Sequence, residues 1–146
     1  MRQACVTSAG TMAAFLLTGC VAVNANVATS SCPAGETRQE VADLHFGRNI
    51  GQELGVSEAD FIRFLDEEVT PRFPDGLTVQ DSQGRWLYKG VLYKEPGKVL
   101  TLILRDGSAD RPKLAAIAQA YERRFRQDSV LIRTHRECVF FHMARP

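Results

Sequence analysis

The chain has 146 residues with 18 basic and 17 acidic side chains, which gives a formal net charge of +1 at pH 7. Lysines and arginines are interspersed with acidic residues instead of forming a basic face or stripe, so we expect no nucleic-acid partner. The length is sufficient for one domain of ordinary size with short additional segments.

The N-terminal segment has the pattern of a lipoprotein signal peptide. Residues 1–19 contain one basic residue and no acidic residue, and their apolar stretch is too short to span a bilayer. The sequence LTGC at positions 17–20 resembles the bacterial lipobox, in which the cysteine receives the lipid, so Cys20 is the predicted lipidation site. The alternatives are an ordinary secretory signal cut elsewhere and an apolar helix packed on the core.

This pattern predicts three segments in an exported protein. Residues 1–19 are the expected signal peptide, residues 20–40 the lipidated cysteine and a flexible tether, and residues 41–146 one folded domain. A palmitoylated and diacylglycerol-linked cysteine would anchor the chain to a membrane of the bacterial periplasm or cell envelope. We therefore expect the membrane to be one partner of this protein.

Two cysteines remain after the predicted processing. Cys5 leaves with the signal peptide and Cys20 is used by the lipid, so Cys32 and Cys138 are free to form a disulfide in an oxidising compartment. Two independent reduced cysteines are the alternative. The three histidines are dispersed and form no spaced pair with a cysteine, so neither a metal site nor a cofactor is expected.

Apolar periodicity predicts two helices. The first spans Glu58 to Val69 and begins with a capping-box-like Ser57 and Asp60. The second begins at Ser108 or Asp110, and its apolar stripe lies at helical spacing. That stripe consists of Leu114, Ile117, Ala118, Tyr121 and Phe125.

Alternating and apolar runs predict the strands. The run at residues 41–50 alternates until Gly47 and Gly51 open a loop and is the predicted first strand. Residues 77–88 form a hairpin whose turn lies at 81–84. KVLTLILRD, from Lys98, has apolar residues on both faces and is expected at the centre of a sheet. The final segment, SVLIRT followed by CVFFH, is one kinked strand or two short ones.

The element order β-α-β-β-α-β predicts an α+β fold with the ferredoxin-like, split β-α-β plan. In this plan an antiparallel sheet carries two helices on one face, and this chain adds an extra β-hairpin. The uncovered face would present Val99, Thr101 and Ile103. A homodimer pairing sheet to sheet, an envelope protein, the hairpin at residues 85–93 or the terminus held by Cys32 could cover it.

The chain also resembles a known family. VSEADFIRFLDEEVTPRFPDGLTVQDSQGRW, KVLTLIL and the closing CVFF resemble a family of small bacterial secreted lipoproteins known only as domain of unknown function 3574. The resemblance covers nearly all of residues 41–141, and its most specific part is EEVTPRFPDGLTV. It supports the fold and export, and it implies no catalytic residues.

Several side chains are candidates for binding a ligand. Arg72, in a loop stiffened by two prolines, could hold an anionic ligand with Glu67 or Glu68 orienting it, or could simply pair with one of those carboxylates. His45 could act as a general base near Thr101 or Arg48, or could be an ordinary packed histidine. Trp86 and Tyr88 could stack on a ring, although packing is the expected role of such a pair.

Two classes of function therefore stay open. The preferred one is a lipid-anchored envelope protein that binds a partner or a small molecule on the open sheet face. The alternative is a small ferredoxin-like enzyme or ligand-binding protein that acts as a dimer on an aromatic or haem-like molecule. A deep pocket containing His45 or Arg72 would favour the enzyme, and a flat apolar face would favour binding.

Overall fold

The structure, a computed structural model, describes residues 31–143. Its long strands form one antiparallel sheet in the order β4-β5-β1-β6, and two short strands form a separate hairpin, β2-β3. The strands are β1 (Thr37–Gly47), β2 (Asn49–Ile50), β3 (Glu53–Leu54), β4 (Thr78–Tyr88), β5 (Val91–Leu104) and β6 (Leu131–Val139). The helices are α1 (Glu58–Phe64), continued by a π-helical turn (Leu65–Val69), and α2 (Gly107–Phe125). The expected mixed α and β architecture is thus confirmed.

Strand β1 lies inside the sheet, paired on both sides. Its residues 40–47 pair with residues 97–104 of β5, and its residues 37–45 pair with β6. The β4-β5 hairpin is longer than β1, so residues 91–96 of β5 pair with β4 alone. The hairpin therefore continues past the end of β1 and forms one wall of the site described below.

Both helices pack on the same face of the sheet. The ring of Phe46, on β1, lies 5.7 Å from the ring of Phe61 on α1 and 4.6 Å from the ring of Tyr121 on α2, measured between centroids. All three rings are almost completely buried. Burial of large apolar side chains is the main favourable term in folding. The sheet residues in this core are Ala42, Leu44, Phe46, Leu100, Leu102 and Leu104.

Helix α1 begins where the sequence predicts. The Ser57 hydroxyl accepts a hydrogen bond from the backbone N–H of Asp60 at 3.1 Å, which satisfies one of the free donors of the first turn. The predicted helix to Val69 is one continuous helical segment, but its last turn is wider than an α-helix. The Thr70 N–H donates to the Leu65 carbonyl at 2.8 Å, the spacing of a π-turn.

Helix α2 begins earlier than predicted. Asp106 is the cap, and its carboxylate accepts hydrogen bonds from the backbone N–H groups of Ser108 and Ala109 at 3.0 and 3.2 Å. The predicted caps, Ser108 and Asp110, were therefore wrong. Asp110 lies in the first turn, where its carboxylate accepts from the Asp106 N–H at 3.1 Å. The two carboxylates thus accept from backbone N–H groups at the start of the helix in a reciprocal way, as in a capping box.

The predicted turn at residues 81–84 was wrong. These residues lie inside β4, and the chain reverses at Lys89 and Gly90, which both have positive φ, 48° and 78°. A two-residue loop with two positive φ values matches the twist of the hairpin. In this register Asp81 lies opposite Lys98, whose ammonium pairs with its carboxylate at 2.7 Å.

The last strand and the N-terminal residues are tied together. β6 is one strand, and Cys138 within it forms a disulfide with Cys32, with a Cα–Cα distance of 5.5 Å. β1 begins at Thr37, inside the range predicted as tether. The predicted signal peptide and Cys20 lie outside the described residues. Within residues 31–143, no helix combines the length and the apolar composition needed to cross a membrane.

Candidate functional site

The sheet has a second face, turned away from the helices, which we call the open face. Alternation places Val41, Asp43 and His45 of β1 on it, beside residues 103, 101 and 99 of β5 respectively. This is the face expected to carry Val99, Thr101 and Ile103. It is not uniformly apolar, because Asp43 lies at its centre and is only 6% exposed.

Asp43 is held by a cluster of polar side chains. One carboxylate oxygen accepts a hydrogen bond from the Thr101 hydroxyl at 2.8 Å, and the other accepts from the Arg133 guanidinium at 2.8 Å. His135 Nδ1 lies 3.9 Å from the same carboxylate, and His135 Nε2 lies 2.8 Å from Glu137. Burial alone would raise the pKa of Asp43, but the hydrogen bonds from Arg133 and Thr101 outweigh it and lower that pKa. The centre of the open face is thus internally satisfied.

A cleft of about 770 Å³ opens on this face, next to the end of β1. Its lining comes from β1, β4, β5 and the loop that follows α2. Gly97 lies on its floor, paired with Gly47 on one side and Ser82 on the other. A Cβ at Gly97 would lie 2.8 Å from the Phe46 carbonyl oxygen and 2.9 Å from Ser82 Oγ. There is thus no room for a side chain at this point, and a close approach of the backbone is a common reason for glycine within a strand.

A carboxylate projects into the cleft wall. Glu95, on β5, accepts a hydrogen bond from the Asn49 backbone N–H at 3.0 Å. It occupies the space above Gly47, where a Cβ would lie 2.5 Å from Glu95 Oε1. Tyr121 donates to the Gly47 carbonyl at 2.7 Å and so fixes this point of the backbone within the core. Glu95 is therefore a positioned acceptor, with oxygens available for a donor on a ligand.

The far wall of the cleft offers an aromatic surface. The rings of Trp86 on β4 and Tyr93 on β5 lie opposite each other and stack, with centroids 5.3 Å apart and planes 8° from parallel. Trp86 remains 46% exposed although it is the largest side chain type. An exposed indole held rigidly by a neighbouring ring is suited to stacking on a flat ligand.

His45 provides the least expected feature of the cleft. Its Nε2 atom is shielded from solvent and has no hydrogen-bond partner within residues 31–143. The residues paired with it on the flanking strands, Val99 and Leu131, are apolar. An unpaired buried nitrogen costs about 1 to 3 kcal/mol, and such groups usually have a partner. His45 therefore lines the cleft and carries a buried Nε2 that has no partner in the described region.

The structure separates the predicted site residues. His45 lines the cleft, whereas Thr101 lies elsewhere on the open face, bonded to Asp43 and lining a second cavity of about 360 Å³. Arg48 donates to the Val56 carbonyl at 2.9 Å and pairs with Glu58 at 3.2 Å. Arg48 is therefore engaged with the start of α1.

The other two candidates lie on the helical side. Arg72 pairs with the Glu68 carboxylate at 2.9 Å and also donates to the Glu68 carbonyl. Glu67 pairs with Arg124 of α2 at 2.5 Å. These contacts match the alternative in which Arg72 pairs with a helical carboxylate, and they leave His45 as the candidate that lines the cleft.

The sequence analysis did not identify Glu95 or the glycines of the cleft, Gly84 and Gly97, as parts of a site. Gly84 was assigned to a turn, yet it lies in β4 opposite Glu95. Glycines at 84 and 97 within strand-forming segments were the available signal, because a glycine inside a strand often marks a close approach of backbone or ligand. The proximity of Glu95 to Gly47 depends on the strand register, which the local pattern does not contain.

Comparison with known proteins identifies the family but no activity. The family described as "Protein of unknown function (DUF3574)" matches residues 41–141. The chain belongs to this family. No curated protein matches the sequence.

Solved structures show a similar fold. A phage SAM lyase in complex with S-methyl-5'-thioadenosine has a TM-score of 0.56 and 14% sequence identity, and the match covers 80% of this chain and 98% of that one. The apo state of a phage SAM lyase gives a TM-score of 0.55 at 15% identity, with the same coverage of both chains. At this identity the likeness concerns the fold alone.

Proposed function

We propose that this protein is a small-molecule-binding module whose cleft receives a ligand that combines an aromatic ring with hydrogen-bonding groups. The observation that carries the proposal is that His45, which lines the cleft, has a buried Nε2 with no hydrogen-bond partner among residues 31–143. A ligand that supplies its partner would remove the cost of leaving that atom unpaired.

The other groups of the cleft narrow the ligand class. The Trp86 ring provides a stacking surface, and Glu95 provides a carboxylate that accepts from hydroxyl or amino groups. The volume of about 770 Å³ lies in the range of small-molecule sites. A heterocyclic base attached to a polyol, as in a nucleoside, has each of these features.

A solved structure of similar fold holds a ligand of this class. The phage SAM lyase of similar fold was solved with S-methyl-5'-thioadenosine, in which a purine is joined to a ribose and a thioether. The order β4-β5-β1-β6, with both helices on one face, supports assigning this chain to the ferredoxin-like plan. Fold likeness does not transfer an activity, so the ligand class rests on the cleft.

Tryptophan fluorescence offers a direct test, because Trp86 is the single tryptophan of the chain. We expect S-methyl-5'-thioadenosine to change that fluorescence saturably. Glu95→Gln should weaken the affinity at least about tenfold, since a charge-assisted hydrogen bond is lost. Calorimetry should give the same dissociation constants.

The matched control is Glu36→Gln, which makes the same chemical change at a half-buried glutamate ahead of β1, outside the cleft lining. It should leave the affinity unchanged. No saturable signal at millimolar S-methyl-5'-thioadenosine, or equal effects of both variants, would contradict the proposal.

Catalysis is the second candidate, because His45 and Glu95 both line the cleft and both can exchange protons. The two candidates separate when the chain is incubated with S-adenosylmethionine. Formation of S-methyl-5'-thioadenosine above the uncatalysed rate, reduced by Glu95→Gln, would favour an enzyme. Binding without turnover would favour the module.

We further propose that the module is exported and anchored to the cell envelope through Cys20. The disulfide between Cys32 and Cys138 supports an oxidising compartment. Mass spectrometry of the native product should find a lipid-modified N-terminus at Cys20 and no alkylatable thiol at positions 32 and 138. An intact Met1 would contradict the anchor, and free thiols at both positions would contradict the disulfide.

A further inference from the structure

Strand β4 is the outer strand on one side of the sheet. Within the part of the chain that the structure describes, its eleven residues pair with β5 on one side and with no strand on the other. Exposed edge strands are usually short, interrupted by proline or bulged, because their free N–H and C=O groups attract other strands. β4 contains no proline, and its register with β5 is unbroken from Thr78 to Tyr88.

We propose that two copies of this chain pair antiparallel through β4, across a two-fold axis that passes between their Gln83 residues. Gln83 is the midpoint of Thr78–Tyr88, so this register pairs the strand over its full length. The two sheets would form one sheet of eight strands. In such a symmetric pair each residue contacts its counterpart on the other side of the axis, and the contacts occur twice.

Charge complementarity selects this register. With the axis at Gln83, Arg85 lies opposite the partner's Asp81, and the symmetry repeats that pair. Arg85 has no ion pair within residues 31–143, and the Asp81 carboxylate is 84% exposed although it contacts Lys98. Opposite charges facing each other across strands are favourable, and like charges are unfavourable. An axis at Asp81 or at Arg85 would instead set two identical charges against each other.

Apolar contacts favour the same register. Leu87 is 71% exposed and would lie opposite the partner's Val79. An axis moved by one residue to Ser82 or Gly84 separates both the charged and the apolar pairs. The axis at Gln83 is therefore favoured on three grounds: it pairs the whole strand, it pairs opposite charges and it pairs apolar residues.

The opposite edge of the sheet is a weaker candidate. β6 could also pair with itself, with Arg133 facing Glu137. Those charges are already engaged within the chain, however, since Arg133 bonds Asp43 and Glu137 bonds His135. Arg85, on β4, has no opposite charge beside it in the described region.

Pairing through β4 would also extend the open face. Trp86 and Gln80 lie on the same side of β4, and in this register Trp86 lies opposite the partner's Gln80. Each cleft would then have a polar side chain of the second copy beside its aromatic wall. Pairing through β4 does not depend on the identity of the ligand.

The test is a charge exchange between two variants of the full chain. Analytical ultracentrifugation should show a dimer for the natural sequence. Arg85→Glu should lose the dimer, because it faces Asp81, and Asp81→Arg should lose it because it faces Arg85. When the two variants are mixed, every facing pair is again of opposite sign, so a mixed dimer should form, detected by co-purification through different tags.

Controls separate this result from a folding defect. Far-UV circular dichroism must show that each variant is folded. Replacing Asp81 does not leave the buried Lys98 unpaired, because its ammonium also pairs with Glu58 at 2.7 Å. If Asp81→Arg does not fold, Arg85→Gln should still weaken the dimer, and less than Arg85→Glu does. Arg123→Glu, the same charge reversal on the exposed side of α2, should leave the dimer intact. A monomeric natural chain at about 100 µM, or a dimer that survives Arg85→Glu, would overturn the proposal.

Discussion

The two faces of the sheet are built on different principles. On the helix-covered face, Phe46, Phe61, Phe64, Tyr121 and Phe125 pack ring against ring and are all buried. On the open face, a polar cluster around Asp43 lies beside a cleft lined by His45, whose Nε2 has no partner in the described part of the chain. Among residues 31–143, the buried side-chain polar atoms of the first face all have partners, whereas His45 on the open face has a nitrogen without one. That difference locates stability on the first face and binding on the second.

The largest expected effect comes from exchanging an aromatic ring for a methyl group on each face. Phe64 is completely buried, with its ring 5.0 Å from Tyr121 and 6.0 Å from Phe125. Phe64→Ala should lower the free energy of unfolding by about 3 to 5 kcal/mol, through lost burial and the cavity left behind. Trp86→Ala, at a half-exposed ring on the open face, should cost no more than about 1 kcal/mol. Urea titration followed by circular dichroism measures both.

The ligand titration completes this test. Trp86→Ala should reduce the affinity for S-methyl-5'-thioadenosine measured by calorimetry, while its fold stays intact. Equal losses of stability in the two variants would mean that both faces contribute alike to the core, and the contrast between them would disappear.

Most features of the helix-covered face could be predicted from the sequence. The stripe from Leu114 to Phe125 and the run from Phe61 to Val69 follow the helical repeat, and local periodicity is enough to place them. The first strand was identified from the alternation of Ala42, Leu44 and Phe46 with the residues between them. The N-cap of α2 was predicted wrongly. Asp106 and Asp110 can both cap a helix, and only the hydrogen bonds seen in the structure identify Asp106 as the cap.

Fewer features of the open face could be predicted from the sequence, because they depend on the register in which the strands pair. DSQG and YKGV are both plausible turns, and the contact between Asp81 and Lys98, distant in sequence, favours the second. Glu95 reaches the space above Gly47 only because β1 and β5 pair as they do. The alternating pattern placed His45 away from the core, but its lack of a partner depends on which residues of β5 and β6 lie beside it.

The smallest expected effect on stability comes from replacing His45. This variant gives the sharpest test of the contrast between the two faces. His45→Leu removes a buried nitrogen that has no partner in the described region, so the free energy of unfolding should stay unchanged or rise by up to about 1 kcal/mol. The affinity for S-methyl-5'-thioadenosine should nevertheless fall at least about tenfold, since the ligand loses a hydrogen bond to this nitrogen.

His135→Leu is the matched control, because it makes the same change on the same face at a histidine that does have partners. His135 contacts Glu137 at 2.8 Å and lies near the Asp43 carboxylate, so its loss should lower stability by about 0.5 to 1 kcal/mol and leave the affinity unchanged. A stability loss at His45 equal to that at His135 would show that the Nε2 atom has a partner within the protein. In that case the cleft would hold no free group, and the open face would be as self-contained as the face beneath the helices.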